Sequence, residues 1–151
     1  MQRNSPYKNT LNYFFWSMAF VFYSALSGIY LFLPPLLGVL FILYKNALEE
    51  RDSLKLFFLT FLVLVLEAEE GFLVFTLLIY FLVLEKFITP KIDQGISALK
   101  LRLFLYILFA YLGYMLFYTL LAQIFLLPGL SFHFYIVYYI AIEYFLVSIL
   151  L

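Results

Sequence analysis

The sequence contains no cysteine and a single histidine, His133. Disulfide bonds, thiolate metal sites and cysteine nucleophiles are therefore excluded. One histidine is too few for a histidine-based metal site, and neither a serine-histidine-aspartate set nor a phosphate-binding loop motif can be assembled. We therefore predict a protein that is not an enzyme and that holds no metal and no cofactor.

Charged residues are also scarce, at 12% of the chain, and their net charge is zero. The basic residues are divided among separate segments, which argues against nucleic-acid binding. Hydrophobic residues make up 67% of the chain, and the mean hydropathy is +1.07. A soluble domain has roughly 45–50% apolar and 25% charged residues. The composition predicts an all-α integral membrane protein surrounded by membrane lipids.

Two apolar runs, 54–66 and 72–84, flank a short acidic segment near the middle of the chain. As one helix they would be too long for a ~30 Å hydrocarbon core, and carboxylates inside that core would be costly. The chain must turn between the runs, and a glycine supplies the backbone freedom. We predict a membrane hairpin whose tip is an external acidic turn, either solvated or a docking surface for a basic partner, formed by Glu67, Glu69, Glu70 and Gly71.

The stretch 11–44 is again too long for one crossing, and Ser27-Gly28 is the expected break. Pro34 and Pro35 follow. Because a double proline removes two backbone donors, the second helix is either kinked there or begins near Pro34 after a short re-entrant piece. The sequence thus predicts a single domain, a compact six-helix transmembrane bundle with spans at about 11–26, 29–44, 54–67, 71–87, 103–127 and 133–151.

The basic residues agree with this arrangement. If the N-terminus is cytoplasmic, Arg3, Lys8 and the basic residues of the charged segments 45–55 and 86–102 all face the cytoplasm. The opposite side then receives no lysine or arginine, and basic residues prefer the cytoplasmic side of membrane proteins. The pattern predicts a multi-pass protein with both termini cytoplasmic.

Glu143 lies near the middle of the last predicted span. A carboxylate at that depth is costly and marks a functional site by default. Tyr135 and Tyr139 precede it at i−8 and i−4 on the same face, so a phenol could donate a hydrogen bond to it. Three roles stay open for Glu143: a hydrogen bond that joins helices, contact with a partner, and handling of a proton or solute.

Small residues indicate two further helix surfaces. On the first helix, Ser17, Ser24 and Gly28 leave a groove that lets membrane helices approach closely, with a ligand role as the alternative. The fifth helix carries phenols interrupted by small residues, namely Tyr106, Ala110, Tyr111, Gly113, Tyr114 and Tyr118. This second surface predicts interhelical packing or, alternatively, an elongated lipid or partner groove.

Two segments carry a family resemblance: Pro34-Pro35-Leu-Leu-Gly-Val-Leu-Phe-Ile-Leu-Tyr44, and Phe61-Leu-Val-Leu-Val-Leu-Glu67-Ala-Glu-Glu-Gly71-Phe. The first is similar to the proline-containing second helix of the MreD family of rod-shape-determining membrane proteins. The second is similar to that family's acidic turn, with Glu67 at the acidic position. The resemblance covers roughly residues 34–86.

The resemblance to MreD implies a non-catalytic scaffold of the bacterial cell-elongation machinery in the inner membrane. Its partners would be other integral membrane proteins, including MreC and the peptidoglycan polymerase and transpeptidase pair. It also implies a fold like that of the six-helix substrate-binding subunits of energy-coupling-factor vitamin transporters. The alternative function is therefore a transporter subunit that binds a vitamin-like small solute, which predicts an outward-open pocket of roughly 300 Å³ or more with aromatic and polar walls.

Overall fold

The computed structural model of the protein describes residues 6–128 and 134–150, with side chains over 8–128 and 134–149. Within these ranges the protein is all-α, with six helices and no strand. The helices are α1 (Pro6–Ile29), α2 (Leu37–Glu50), α3 (Ser53–Glu70), α4 (76–95), α5 (Leu99–Phe125) and α6 (Tyr135–Leu150).

Two of these helices, α4 and α5, each contain a π turn, at Leu84–Ile88 and Phe109–Gly113 respectively. In α4 the proline Pro90 follows its π turn closely. Proline has no N–H and would clash with the carbonyl four residues earlier, which belongs to Lys86 inside that turn. The wider turn lets α4 continue past the proline as one helix.

The helix ends around α3 follow from its flanking residues. Arg51, between α2 and α3, has a left-handed φ of 53°, and the Asp52 side chain accepts a hydrogen bond from the N–H of Lys55 at 3.2 Å, which caps α3. At the other end Gly71 has a φ of 73°, and its N–H donates to the carbonyl of Glu67. Glycine adopts this conformation at little cost, so α3 ends there.

The core lies around α2, which contacts α3, α5 and α6, whereas α1 packs mainly against α3. Phe41 of α2 is fully buried, and its ring lies 5.3 Å from that of Phe81 in α4 and 6.0 Å from that of Tyr106 in α5. These separations are typical of favourable aromatic pairs. On α1 the buried positions include Ser17 and Ser24, whose small side chains allow a close approach to α3.

The first predicted break is displaced in the structure. The helix α1 continues through Ser27-Gly28 to Ile29, because neither residue lacks a backbone donor. The chain leaves the helical path at 30–36, where Pro34 and Pro35 lie, so the second helix begins after the prolines, at Leu37, and is not kinked around them.

The charged segments are also more helical than expected. The helix α2 extends to Glu50, so the segment 45–55 contributes only a two-residue connection. Likewise α4 continues to Gly95 and α5 begins at Leu99, which leaves 96–98 as the connection. Lysine, arginine and glutamate are good helix formers at exposed positions. A helix can therefore continue through charged residues beyond the end of its apolar run.

Among the described residues, α5 is the one helix that could cross a membrane by both length and composition, and the apolar part of α6, Tyr135–Ile149, is shorter. Charges interrupt α3 and polar residues dilute α1. The core helix of a soluble protein can meet the same criteria as α5. Among the described residues the structure thus shows an all-α fold with one candidate membrane span.

Candidate functional site

Glu143 is completely buried and caps the N-terminus of α2. Its Oε2 accepts a hydrogen bond from the N–H of Val39 at 3.0 Å, and the N–H groups of Leu36 and Gly38 also interact with it. The helix has no cap of its own, because Leu36 at its N-cap position has no polar side chain. A carboxylate from another helix therefore satisfies N–H groups that would otherwise have no intrahelical partner, where the helix dipole favours negative charge.

A glycine makes this approach possible. A Cβ atom on Gly38 would lie 2.7 Å from Oε2 of Glu143 and 2.8 Å from Cγ1 of Ile107. Either contact is closer than real Cβ atoms tolerate. Gly38 is therefore required for the close contact between α2 and the carboxylate.

The second oxygen of Glu143 has a different partner from those expected. Oε1 accepts a hydrogen bond from the hydroxyl of Tyr111 in α5. Tyr139 instead donates its hydroxyl proton to the carbonyl of Leu31, and Tyr135 is half exposed with its ring stacked on that of Tyr139. Side chains on a helix lean toward its N-terminus, so a tyrosine one turn before Glu143 extends away from the carboxylate.

Tyrosine side chains and backbone groups share the hydrogen bonds of the non-helical segment 30–36. The hydroxyl of Tyr23 donates to the carbonyl of Pro34 at 3.0 Å, and the hydroxyl of Tyr139 donates to that of Leu31. Pro34 and Pro35 have no N–H groups to satisfy. The prolines that end the helical path thus also reduce the number of backbone donors in the segment.

Glu67 repeats the arrangement at α4 and is not part of a solvated turn. It is completely buried; Oε2 accepts the N–H of Phe75 at 2.8 Å, and Oε1 accepts the N–H of Leu77 at 2.5 Å and the hydroxyl of Thr76 at 3.4 Å. The N-cap residue Phe75 has a left-handed φ of 70° and no polar side chain, as at α2. The expectation of a solvated Glu67 is wrong because two backbone N–H groups at a helix start replace water around the carboxylate.

The two sites are joined by neighbouring turns of α5. The hydroxyls of Thr76 and Tyr114 lie 3.0 Å apart, and Tyr111, one turn earlier, binds Glu143. Between these tyrosines, the π turn brings the carbonyl of Phe109 to 2.5 Å from the hydroxyl of Tyr80. One surface of α5 therefore contributes a phenol that bonds Glu143 directly and a second phenol that bonds Thr76, beside Glu67.

The other predicted site residues are more dispersed. Glu69 accepts a hydrogen bond from the hydroxyl of Ser24, which joins the ends of α1 and α3, whereas Glu70 is exposed. A Cβ on Gly28 would meet nothing within 4 Å, so this glycine does not belong to the packed face of α1. Ser27, one position earlier, is buried there instead.

On α5, Ala110 is fully buried and Gly113 faces α4. A Cβ on Gly113 would overlap with the hydroxyl oxygen of Tyr80. The structure places both small residues at interhelical contacts. His133 lies outside the described residues.

A polar cluster joins α2, α4 and α5 at the end opposite Glu67. Lys45 is buried, with its Nζ 2.7 Å from Glu49 and 3.6 Å from Asp93, and Arg102 lies 3.7 Å from Asp93. The hydroxyl of Tyr106 also donates to Asp93. The charged groups of this cluster pair with one another. No group of three potential metal ligands occurs in the cluster or elsewhere among the described residues.

Several residues of the site were not predicted. Gly38, Thr76 and Tyr80 have contacts that depend on which helix faces which, and a single sequence does not specify this. The signal present in the sequence was one carboxylate within an apolar run, Glu143, together with two helix starts that have no capping side chain. A capping residue distant in sequence is invisible to local rules.

The chain matches no known family model, no curated protein and no solved structure. The interpretation of the site therefore depends on its geometry. The geometry is that of two buried carboxyl groups held at helix N-termini, with every oxygen of both groups bonded by donors of the same chain. Such an arrangement fixes helix positions and offers no free nucleophile.

Proposed function

We propose that the protein is a multi-pass protein of a bacterial inner membrane and a non-catalytic scaffold that binds other membrane proteins through α1. The observation that carries the proposal is an unpaired apolar stripe on that helix. Its members are spaced three, four or seven residues apart and are all exposed, namely Leu11, Phe15, Met18, Phe22 and Ile29. This spacing is typical of a helix face that packs against another helix.

The exposed surface supports the membrane part of the proposal. Phe15 and Phe22 are each 72% exposed, and Ile29 is 73% exposed. Comparable side chains are exposed on the other helices, including Ile124 in α5 and Phe145 in α6. Soluble monomers rarely expose contiguous apolar patches larger than a few hundred Å². Lipid would cover such a surface without a cost in hydration.

The distribution of charge also supports membrane insertion. The described lysines and arginines lie in the first turns of α1, α3 and α5, in the second halves of α2 and α4, and at Arg51 between α2 and α3. The hydrogen bond from Tyr13 to Asp52 and the ion pair of Lys45 with Asp93 bring these segments to the same end of the bundle. A single basic end is the pattern that the positive-inside rule predicts.

The internal capping is a third line of support. In hydrocarbon, non-helical backbone is tolerated only where protein groups satisfy it. Segment 30–36 and the starts of α2 and α4 receive hydroxyl donors and carboxylate acceptors from neighbouring helices. The two carboxylates would then have the role of joining helices rather than of handling a proton or solute.

The resemblance to MreD supplies the partner class. Under this proposal the stripe of α1 contacts an integral membrane protein of the cell-elongation machinery, such as MreC or the peptidoglycan polymerase and transpeptidase pair. The protein would contribute to cell shape by holding these proteins together, with no chemistry of its own.

The test is photocrosslinking in native membranes, with a benzophenone amino acid at Phe22 or, as a control of equal 72% exposure, at Ile124. We expect position 22 to give a defined protein adduct and position 124 to give lipid adducts. Mild-detergent affinity purification with mass spectrometry then identifies the partner. Protein adducts at neither position would contradict the scaffold.

Membrane topology has a separate test that exploits the absence of cysteine. A single cysteine introduced as Ala68→Cys should react with an impermeant reagent from outside, and one introduced as Gln94→Cys should react only from the cytoplasm. Both positions are exposed. Labelling of the first from the cytoplasm alone would refute the six-span topology.

One observation favours the alternative, a solute-binding transporter subunit. A cleft of about 300 Å³ lies at the end of the bundle away from the basic residues, lined by Phe32, Phe134, Tyr135 and Tyr138. Its size and aromatic walls suit a planar small molecule. A stoichiometric small molecule in the purified protein that is lost in Tyr138→Ala but retained in Tyr144→Ala would favour this function over the scaffold.

A further inference from the structure

A groove of about 560 Å³ runs between α1, α2 and α3, on the side of α1 next to the apolar stripe. The groove exists because α1 packs mainly against α3 and stands apart from α2. Its walls are almost entirely apolar. The apolar and aromatic walls include Trp16, Phe20, Leu40, Leu43, Phe58 and Leu62.

One end of the groove is polar and charged. Asn12 and Lys55 line it there, next to the hydrogen bond between Tyr13 and Asp52. Lys55 is the one cation among the lining residues, and its ion pair at 3.1 Å is with Glu50, whose side chain is 59% exposed. A pair with so exposed a partner is weak, so the ammonium group is available to another anion.

The groove has the depth of one membrane leaflet. Its lining runs along α1 from Asn12 to Tyr23, which is about 16 Å at 1.5 Å per residue. Half of a ~30 Å hydrocarbon core is about 15 Å. The polar end lies at the basic end of the bundle, which is the cytoplasmic end if the proposed topology holds.

We infer that the groove holds one phospholipid of the cytoplasmic leaflet, with an acyl chain between α1 and α2 and its phosphate at Lys55. An apolar channel with one cation at the interface matches a molecule that has a long apolar chain and one anionic group. This inference depends on the proposed membrane location and is independent of any protein partner. The lipid would fill the space that separates α1 from α2 and hold α1 at a fixed distance.

The test uses the purified protein in nanodiscs that contain a phosphatidylglycerol with a diazirine in its acyl chain. After illumination and digestion, mass spectrometry maps the labelled peptides. We expect label concentrated on the groove-facing parts of α1, α2 and α3. Even labelling of all exposed apolar faces, or crosslinked dimers in place of lipid adducts, would overturn the inference, the second by showing that another copy fills the groove.

Two matched pairs of variants sharpen the result. Ala19 lines the groove, whereas Ala25 is exposed on α1 outside it. Ala19→Phe should therefore reduce groove labelling severalfold and Ala25→Phe should not. Lys55→Gln should similarly reduce the phospholipid retained per protein through gel filtration in detergent, whereas Lys91→Gln at an exposed position should leave it unchanged.

Equal effects within either pair would overturn the inference. This failure is distinguishable from failure of the proposed function, because the nanodisc contains no protein partner. A protein that does not enter nanodiscs and takes no lipid label would refute the membrane location itself and the groove lipid with it.

Discussion

Replacing Gly38 by alanine tests the buried carboxylate site most directly. The added Cβ would lie 2.7 Å from Oε2 of Glu143 and 2.8 Å from Ile107. Both neighbours are held in place, since Glu143 bonds Val39 and Ile107 is fully buried. The carboxylate must therefore withdraw from the start of α2, or α2 must move away from α5 and α6.

The expected cost is about 1–3 kcal/mol, the usual penalty for one extra methylene-sized group in a well-packed core. The matched control is Gly28→Ala in α1, where a Cβ would meet nothing within 4 Å. Alanine is favoured over glycine inside a helix by roughly 0.5–1 kcal/mol, so the control should be neutral or stabilising. Glycine to alanine is thus predicted to lower the free energy of unfolding at position 38 and to leave it unchanged or raise it at position 28.

The assay is the temperature at which half of the purified protein leaves its monodisperse gel-filtration peak in detergent. A change of 1 kcal/mol moves a midpoint by roughly 2–4 °C in a chain of this size. Gly38→Ala should lower the midpoint and Gly28→Ala should not. If the two variants have equal midpoints, Glu143 does not contact the start of α2 as described.

Glu67→Gln should cost about 1–3 kcal/mol, because both carboxylate oxygens accept backbone N–H groups and an amide keeps one acceptor. Glu143→Gln should lower the stability less, because the hydroxyl of Tyr111 can rotate and accept a hydrogen bond from the new amide group. Equal thermal midpoints for the two glutamine variants would contradict these partners. Gly113→Ala should lower the midpoint because the added Cβ would overlap with the Tyr80 hydroxyl, and Tyr80→Phe should partly restore it, so no recovery would refute the contact. The N–H at the start of α3 and a tyrosine hydroxyl hold the pKa of Asp52 below its usual 3.8. Its stabilising effect should be complete above that value and lost as the pH falls through the lowered pKa, and Asp52→Asn should remove this dependence from midpoints measured between neutral and acidic pH.

The sequence allowed the number of helices to be predicted, because long apolar runs and proline positions are local signals. It did not allow their ends to be placed. The charged residues around Lys45 and Lys91 lie inside helices, since a helix can extend beyond the apolar part of its sequence. Hydropathy reports where the environment changes and backbone hydrogen bonding reports where the helix ends.

The candidate site was half predictable for a related reason. Glu143 stands out because a carboxylate among apolar residues needs partners, and the sequence identifies that need. It does not identify the partners, which come from α2 and α5. For Glu67 the local context was misleading, because its neighbours Glu69 and Glu70 make the whole segment look solvated.

The two capping carboxylates differ in their distance along the chain from the helix that each one caps. This difference sets the order in which the two caps can form. Glu67 caps a helix that begins within ten residues of it, so the α3–α4 pair can complete its hydrogen bonds as soon as both are synthesised. The hydrogen bond from the N–H of Val39 forms only after Glu143 has been synthesised, 104 residues later. Until α6 has been synthesised, the N–H groups at the start of α2 lack this carboxylate acceptor. The last helix therefore completes the bundle, and a chain that lacks it should remain incompletely packed.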